Sequence, residues 1–346
     1  MTQAIDADDI VTRQLWFTAP QQIEVRQVSL PPPAAGQVRV RTLCSAISAG
    51  SELLVYRGEL PESMALDANL ASLQSSSTYP LQYGYACVGE VTDAGDGVDT
   101  AWLGQRVFAF QPHVSHFIAS VEELMPVPDD VASEAAVFLP NMETAVNLIQ
   151  DGAPMIGEQV VVLGQGVVGL LLTGLLAAHP LAGLFTLDTL AGRRQRSVTM
   201  GAGDSFDPGT DLASLRDELL AGTGADLVYE VSGVPAALNQ AIAVSGYDSR
   251  IVIGSWYGSK TAAIALGGDA HRNRLTISTS QVSTLASGLG GRWDKARRFT
   301  TAWQMIRQLQ PHSLISHRRS LDDAPALYQM LHDNDQDILQ AVFVYD

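Results

Sequence analysis

The sequence predicts an α/β protein in which a β-rich portion precedes a doubly wound parallel sheet. With 346 residues the chain is longer than one hydrophobic core usually serves, so two domains are expected. Short valine-rich segments dominate as far as residue 140, and beyond it apolar segments of strand and helix length alternate. Such alternation is typical of βαβ units, whose parallel strands are covered by helices on both faces.

The β-rich portion contains short strand-like segments separated by proline, glycine and aspartate, namely QIEVRQVSL, QVRVRTL, ACVGEVTDA and QRVFAFQ. Residues 59–83 show no clear periodicity, so a long surface loop is predicted there. Two interpretations of this loop stay open. It forms a wall of a pocket for an apolar substrate, or it is an insertion without such a role.

Strands and helices alternate from residue 141 onward. Strands are predicted at 160–163, 184–187, 227–230 and 251–253, and helices at 167–178, 193–200, 212–221 and 236–244. Beyond them, KARRFTTAWQMIRQL is an amphipathic helix and ILQAVFVYD a strand. We therefore predict one domain from residues 1–140 and 282–346, and a second domain from residues 141–281.

Composition and charge exclude several classes of protein. A formal net charge of −16 argues against binding to nucleic acid or anionic membranes. The two cysteines, Cys44 and Cys87, are too few for a disulfide framework or a structural zinc site. The first residues lack the basic start and apolar run of a secretion signal, and the longest apolar stretch is interrupted by polar residues. The sequence indicates a cytoplasmic protein.

A glycine motif, VVVLGQGVVGLLL, joins a predicted buried strand to a predicted helix. Gly164, Gly166 and Gly169 have the spacing of the dinucleotide-binding fingerprint. The first glycine permits a tight turn, the second lets the backbone approach a pyrophosphate, and the third lets helix and strand pack closely. The helix N-terminus then supplies N–H groups to the phosphates. The cofactor-binding residues that this motif predicts are Gly164, Gln165, Gly166, Val167, Val168 and Gly169.

An acidic residue ends the next predicted strand, as the fingerprint requires. Asp188 stands 19 residues after Gly169, close to the separation of about 20 expected. A carboxylate there accepts hydrogen bonds from an adenosine ribose diol and repels a 2′-phosphate, which favours NAD over NADP. Arg193, just beyond, offsets part of that repulsion, so NADP stays possible. The structural alternatives are a helix-capping aspartate and a glycine corner without a ligand.

Two further turns follow predicted strands of the second domain. Ligands bind at the carboxyl ends of parallel strands, so the turns VSG and IGSWYG are expected to flank the ribose and the nicotinamide amide. This adds Ser232, Gly233, Gly254 and Ser255 to the predicted cofactor-binding residues.

Several segments in this order resemble the medium-chain dehydrogenase/reductase superfamily, almost from end to end. They are GYACVGEVTDAGDGV, LGQRVFAF, GADLVYEVSG and LISHRRSLDDAPALYQML. The segment SAISAGSELLVYRGELP resembles, more narrowly, the bacteriochlorophyllide hydroxyethyl dehydrogenase branch of this superfamily. The resemblance implies a GroES-like catalytic domain, a Rossmann domain and nicotinamide-dependent hydride transfer.

The sequence departs from this family at the metal-binding positions. Zinc members have a cysteine where this chain has Ser48, a His-Glu pair where it has Tyr85 and Ala86, and a further ligand at the position matched to Leu139. Catalytic zinc requires three ligands drawn from thiolate, imidazole and carboxylate. A hydroxyl, a phenol and a leucine do not replace them, so we predict a member without zinc.

The resemblance implies four candidates for chemistry. Tyr85 replaces a metal ligand, so its phenol is expected to face the nicotinamide and to donate a proton to a developing oxyanion. Ser48 is expected to hydrogen-bond to the same oxygen. Glu143 matches a position beside the nicotinamide, where it acts as a base, holds the ribose or pairs with an arginine. His113 lies on a strand that borders the substrate.

Structural interpretations of these residues stay open. Tyr85 fills the space of the lost metal, Ser48 is a turn hydroxyl, or His113 is a packing residue. Ser51 and Glu52 fall near the proton-relay segment of the family.

Three functions are compatible with the sequence. The first is a zinc-independent NAD(P)-dependent oxidoreductase acting on a secondary alcohol or ketone. The second is an enone or quinone reductase, in which the enolate oxygen needs only hydrogen bonds. The third is a nucleotide-binding protein without turnover.

The segment HRNRLTISTSQ resembles the family's edge strand, which implies a homodimer.

Overall fold

The computed structural model describes residues 9–60, 78–209, 212, 215–216, 222–333, 335 and 338–345. The chain divides into two compact units, unit 1 (Met1–Pro140 and Gln310–Asp346) and unit 2 (Asn141–Leu309). The predicted loop at 59–83 and the predicted helix at 212–221 lie largely outside the described residues.

Strands predominate in the first part of the chain, and strands and helices alternate in the part that follows. The strands are β1 (Ile10–Ala19), β2 (Gln22–Leu30), β3 (Gln37–Ala46), β4 (Cys87–Ala94), β5 (Arg106–Ala109), β6 (His116–Ser120), β7 (Met125–Pro126), β8 (Gln159–Leu163), β9 (Gly183–Leu187), β10 (Asp204–Phe206), β11 (Ala225–Glu230), β12 (Ser245–Ile253), β13 (Thr276–Thr279), β14 (Ile315–Ser320) and β15 (Gln340–Val344). The α-helices are α1 (Ala49–Arg57), α2 (Ser133–Ala136), α3 (Leu139–Gly152), α4 (Val167–Leu176), α5 (Ala191–Thr199), α6 (Ala237–Val244), α7 (Lys295–Leu309) and α8 (Ala324–His332).

Unit 1 is built on a seven-stranded sheet in which β14-β15-β3-β4-β5-β7 lie in that order and β6 pairs with β3. The strands β1 and β2 form a separate antiparallel hairpin. Because β3 and β4 are antiparallel, the end of one lies beside the start of the other, with Ser45 opposite Cys87. The residues after β3 and before β4, which include Ser48 and Tyr85, are therefore neighbours.

Unit 2 contains a six-stranded sheet in the order β10-β9-β8-β11-β12-β13, and every pairing in it is parallel. The order reverses at β8, whose neighbours are β9 and β11. This is the strand order of the dinucleotide-binding Rossmann fold, and it brings the carboxyl ends of β8, β9 and β11 together at the switch point. The predicted fold class is confirmed.

The boundary between the units differs from the predicted one. Residues 282–309 belong to unit 2, not to the β-rich unit. The reason is the packing of α7, because the side chain of Leu309 lies against Gly174 in α4 and Arg298 reaches Asn147 in α3. The return to unit 1 therefore comes after α7.

No helix in the described part of the chain is long and apolar enough to cross a membrane.

Candidate functional site

The turn between β8 and α4 requires glycine at two positions. Gly164 has φ +93°, and a Cβ there would lie 2.5 Å from the Cα of Ser232. A Cβ on Gly169 would lie 2.0 Å from the carbonyl oxygen of Gly164. The first glycine therefore forms the tight turn and the third lets the helix approach the strand, which are the two tasks the fingerprint assigns to them.

The middle glycine faces open space. A Cβ on Gly166 would meet no protein atom within 4 Å, and this residue is the N-cap of α4, where no side chain caps the helix. The free N–H groups at the start of α4, where Val167 and Val168 lie, are thus available to an anion. This open cradle fits the diphosphate of a dinucleotide.

Asp188 is fixed beside this turn. Its Oδ2 accepts a hydrogen bond of 2.7 Å from the N–H of Gln165, and its Oδ1 accepts one of 2.8 Å from the N–H of Leu190. The N-cap of α5 is Leu190, so Asp188 is not the capping residue of that helix. The two N–H donors hold the carboxylate at the end of β9, the position from which the fingerprint contacts a ribose.

Of the two arginines at positions 193 and 194, Arg194 has protein partners of its own. Arg194 donates through Nη1 to the carbonyl oxygens of Asp188 and Thr189 and to the carboxylate of Asp207, at 2.7, 3.0 and 2.9 Å. Arg193 lies half-buried on the first turn of α5. The guanidinium of Arg194 is thus already paired with a carboxylate and oriented by the backbone.

The turn after β11 contains a buried carboxylate that sequence reasoning missed. Glu230 is fully buried, and it accepts hydrogen bonds from the N–H and hydroxyl of Ser232 and, at 2.5 Å, from the phenol of Tyr257. Burial and the bond to Glu230 raise the pKa of Tyr257, which keeps this phenol a donor. The N–H of Gly233 donates to Ser255 Oγ at 2.8 Å. The signal was present in the sequence, because Glu230 directly follows the apolar run Leu227–Tyr229 at the end of the strand.

Gly254 packs directly against the core of unit 2. A Cβ on this residue would lie 2.7 Å from a methyl carbon of Leu148 and 2.9 Å from one of Val231. The strands β8, β9, β11 and β12 are parallel, so the predicted cofactor-binding residues at their carboxyl ends lie at one edge of the sheet.

A hydroxyl cluster lies where β3 ends and β4 begins in unit 1. Ser48 Oγ and the Tyr85 phenol are hydrogen-bonded to each other, and Ser51 Oγ lies 3.0 Å from the same phenol oxygen. Tyr85 is only partly buried. Two of the predicted candidates are thus brought together, with Ser51 added, and a phenol held by hydroxyl neighbours can donate a proton to a substrate oxygen.

His113 lies deeper in unit 1 and is fully buried. Its Nδ1 is 2.7 Å from Ser45 Oγ, and its Nε2 is 3.0 Å from a carboxylate oxygen of Glu52. Both ring nitrogens therefore have partners inside the protein. The catalytic role implied for His113 by the resemblance stays a prediction.

Glu143 lies in unit 2 at the centre of an ion-pair cluster. Its Oε1 accepts a hydrogen bond from Lys295 and another, of 3.0 Å, from the Nε of the fully buried Arg298. Arg298 also donates to the side chain of Asn147. The structure thus supplies an arginine partner for this carboxylate. A role as base or ribose contact stays a prediction.

The positions matched to the family's metal ligands carry side chains of other chemistry. Among the described residues, no group of three or more histidine, cysteine, aspartate or glutamate side chains is arranged to hold a metal ion. Leu139 is fully buried, and the hydroxyls of Ser48 and Tyr85 bind each other. Cys87 is also fully buried, and burial raises the pKa of its thiol to about 12.

Proteins of known sequence are similar to between 74% and 92% of the chain, although no protein-family model matches it. The starvation-sensing protein RspB of Escherichia coli is 22% identical over 355 residues, spanning 92% of this chain and 95% of that protein. (R,R)-butanediol dehydrogenase of Bacillus subtilis is 24% identical over 290 residues, spanning 74% and 79%. D-guloside 3-dehydrogenase of Escherichia coli is 23% identical over 307 residues, spanning 85% and 88%.

Solved structures share the fold. The crystal structure of 2R,3R-butanediol dehydrogenase from Bacillus subtilis superposes with a TM-score of 0.78 at 20% identity, over 97% of this chain and all of that one. RspB from Escherichia coli in complex with NADH gives 0.77 at 18% identity, over 97% and 99%. A Sinorhizobium meliloti protein assigned as a zinc-binding dehydrogenase and bound to NADP gives 0.75 at 16% identity, over 97% and 100%. The chain therefore shares the fold of these dehydrogenase structures.

Proposed function

We propose that this protein is a zinc-independent NAD(P)-dependent oxidoreductase that transfers hydride between the nicotinamide and a secondary alcohol or ketone. The observation that carries the proposal is the glycine turn of unit 2, where Gly164 and Gly169 close the backbone, Gly166 leaves an open cradle and Asp188 stands at the ribose position. The similarity to (R,R)-butanediol dehydrogenase and D-guloside 3-dehydrogenase supports an alcohol or ketone substrate.

The hydroxyl cluster of unit 1 supplies the proton chemistry. The bound nicotinamide supplies or accepts the hydride. In the reducing direction Tyr85 donates its phenolic proton to the oxygen that gains charge, and Ser48 stabilises the resulting phenolate through their hydrogen bond. Ser51 is a second hydroxyl on the same phenol oxygen.

Independence from zinc is proposed from the chemistry of the side chains. Hydroxyl, phenol and leucine stand at the three positions where zinc members have ligands, and the two hydroxyl groups are engaged with each other. In zinc enzymes the metal polarises the substrate oxygen. In this chain Tyr85 and Ser48 hold that oxygen by hydrogen bonds. Metal analysis of the purified protein tests this proposal. A content of about one zinc per chain, together with loss of turnover when the zinc is removed, contradicts it.

Steady-state assays test the reaction class. With NAD as oxidant, we expect turnover of butane-2,3-diol or a sugar alcohol, and with NADH, turnover of the matching ketone. Activity on enones or quinones alone would replace this proposal with that of a conjugated-bond reductase. Binding of NADH without consumption by either substrate set would indicate a nucleotide-binding protein without turnover.

The cofactor preference is predicted to depend on the charge of Asp188. Asp188→Asn keeps the size of the side chain and one of its two backbone N–H bonds, but removes the charge that repels a 2′-phosphate. The ratio of the Kd for NADPH to that for NADH is therefore expected to fall about tenfold or more. Fluorescence titration with both cofactors measures this ratio. Asp226→Asn is the matched control, because Asp226 also accepts a backbone N–H bond, from Gln159, but at the opposite end of the sheet. An unchanged ratio in Asp188→Asn contradicts the prediction.

We also propose a homodimer, paired through β13. This strand is at the edge of the six-stranded sheet and is mostly exposed, and the described residues give it a partner only in β12. An edge of this kind presents backbone N–H and C=O groups that a second copy can pair. Sedimentation equilibrium is expected to give twice the chain mass, and the mass of a single chain contradicts the proposal.

A further inference from the structure

A fully buried carboxylate lies directly behind the hydroxyl cluster of unit 1. Glu52 is 0% exposed, and three donors converge on it. Oε1 accepts the N–H of Ser48 at 2.7 Å, while Oε2 accepts the phenol of Tyr328 and lies 3.0 Å from Nε2 of His113. Burying a carboxylate is costly unless such bonds offset its lost hydration. The three donors therefore hold Glu52 in one place.

Glu52 determines what the hydroxyl of Ser48 can bind. Ser48 is the N-cap of α1, and a serine there usually accepts a backbone N–H bond of the first turn through its side chain. The Ser48 side chain makes no such bond; its hydroxyl binds Tyr85 instead. The carboxylate of Glu52, four residues after Ser48, reaches back to the N–H of Ser48, as the glutamate three residues after the N-cap does in a capping box. This bond fixes the backbone of Ser48 while its hydroxyl points to Tyr85.

The same carboxylate is linked to Tyr85 through His113. The His113 ring lies against Gly84, the residue before Tyr85, where an added Cβ would be 3.1 Å from Cδ2 and Nε2 of the ring. Gly84 has φ +133°, a conformation that favours glycine. The ring of His113 therefore supports the backbone that carries Tyr85, and Glu52 holds that ring.

The far side of the network is anchored by two phenols. Ser45 Oγ lies 2.7 Å from Nδ1 of His113 and 2.8 Å from the phenol oxygen of Tyr345. Burial, with the Glu52 carboxylate nearby, raises the pKa of Tyr328 well above its usual value, and burial raises the pKa of Tyr345. Both phenols therefore stay protonated and remain donors.

We propose that Glu52, supported by His113 and Tyr328, is a positioning residue that holds Ser48 and Tyr85 in hydrogen-bonding geometry. The inference rests on the proposed function, in which these two hydroxyls hold the substrate oxygen. This role depends on the length of the Glu52 side chain. A side chain of glutamate length contacts both the Ser48 N–H and the His113 ring.

Two substitutions separate the effect of the length of the Glu52 side chain from the effect of its charge. In Glu52→Gln the side-chain oxygen still accepts the Ser48 N–H, and the amide donates one N–H to Nε2 of His113, whose Nδ1–H then donates to Ser45. The second amide N–H donates to the Tyr328 phenol oxygen, which reverses the direction of that bond, so kcat is expected within about threefold of the wild type. Glu52→Asp keeps the charge but is shorter by one methylene, so it loses the Ser48 bond, and kcat is expected to fall at least about tenfold. The Kd for NADH is expected to stay unchanged in both.

The assay uses the full chain with NAD and butane-2,3-diol, and Glu90→Asp is the control. Glu90 pairs with Arg41 at 3.2 Å elsewhere in unit 1, so its shortening is expected to leave kcat unchanged. Crystal structures of the variants give a readout that does not need activity. Ser48 Oγ and the Tyr85 phenol are expected beyond hydrogen-bonding distance in Glu52→Asp and within it in Glu52→Gln.

Equal kcat values in the two glutamate variants, or a larger loss in Glu52→Gln, would overturn the inference. An intact hydroxyl pair in the crystal structure of Glu52→Asp would do the same. If the wild type turned over none of the substrates, the proposed function would fail, while the crystal structures would still decide the positioning role.

Discussion

Replacing Tyr85 with phenylalanine is expected to lower kcat by about 100-fold or more, the range seen when a general acid or an oxyanion donor is removed. The variant loses only the oxygen that binds Ser48 and Ser51, and the ring keeps its edge-to-face contact with Tyr83, 5.9 Å between centroids. The Kd for NADH is expected to stay within about twofold of the wild type, because the glycine turn is in unit 2. Steady-state kinetics and NADH fluorescence titration measure the two effects.

Tyr56→Phe is the matched control for this result. Tyr56 is also in unit 1 and is 2% exposed, and its phenol donates to Gln329 at 3.2 Å. Removing that oxygen costs about 1 kcal/mol of stability and is expected to leave kcat unchanged. Equal kcat values for Tyr85→Phe and the wild type would show that Tyr85 only fills space.

Glu143→Ala is expected to lower the free energy of unfolding by about 3–5 kcal/mol. The substitution leaves the guanidinium of Arg298, which is 0% exposed, without its carboxylate. Breaking a buried pair by removing one partner is costly because the remaining charge stays buried. Urea denaturation followed by circular dichroism measures the change.

The control for this loss is a surface pair. Glu134 binds Arg318 through two short hydrogen bonds, but its side chain is 34% and that of Arg318 47% exposed. Glu134→Ala is therefore expected to cost at most about 1 kcal/mol. A similar small loss in Glu143→Ala would mean that the cluster around Arg298 contributes no more than a surface ion pair.

Features encoded over short distances in the sequence were predictable. Strand β8, the glycine turn and α4 follow one another directly, and each glycine has a local reason to be there. Asp188 was found by its spacing from Gly169, because the βαβ unit has a nearly fixed length. The arginine partner of Glu143 was expected as a type of residue, because an unpaired buried carboxylate is costly, although the sequence did not identify it as Arg298.

Features that join distant segments were not predictable. Glu52 meets His113 61 residues later and Tyr328 276 residues later, and neither separation has a period that a single sequence reveals. The packing of α7 on unit 2 was missed for the same reason. An amphipathic helix shows which face is apolar but not which unit covers it. The absence of zinc and the narrower likeness to the bacteriochlorophyllide branch stay predictions.

The central claim is that a nicotinamide dinucleotide lies over the glycine turn of unit 2, and NADH titration of Gly166→Asp tests it most directly. A Cβ added at Gly166 meets no protein atom within 4 Å, and the same holds for Gly267, so Gly267→Asp in the same unit is the control. We predict that Gly166→Asp folds normally but raises the Kd for NADH about 100-fold or more, because its carboxylate occupies the space and opposes the charge of the diphosphate. Gly267→Asp is predicted to bind as the wild type does. NADH binding to Gly166→Asp with the affinity of the wild type would contradict the account.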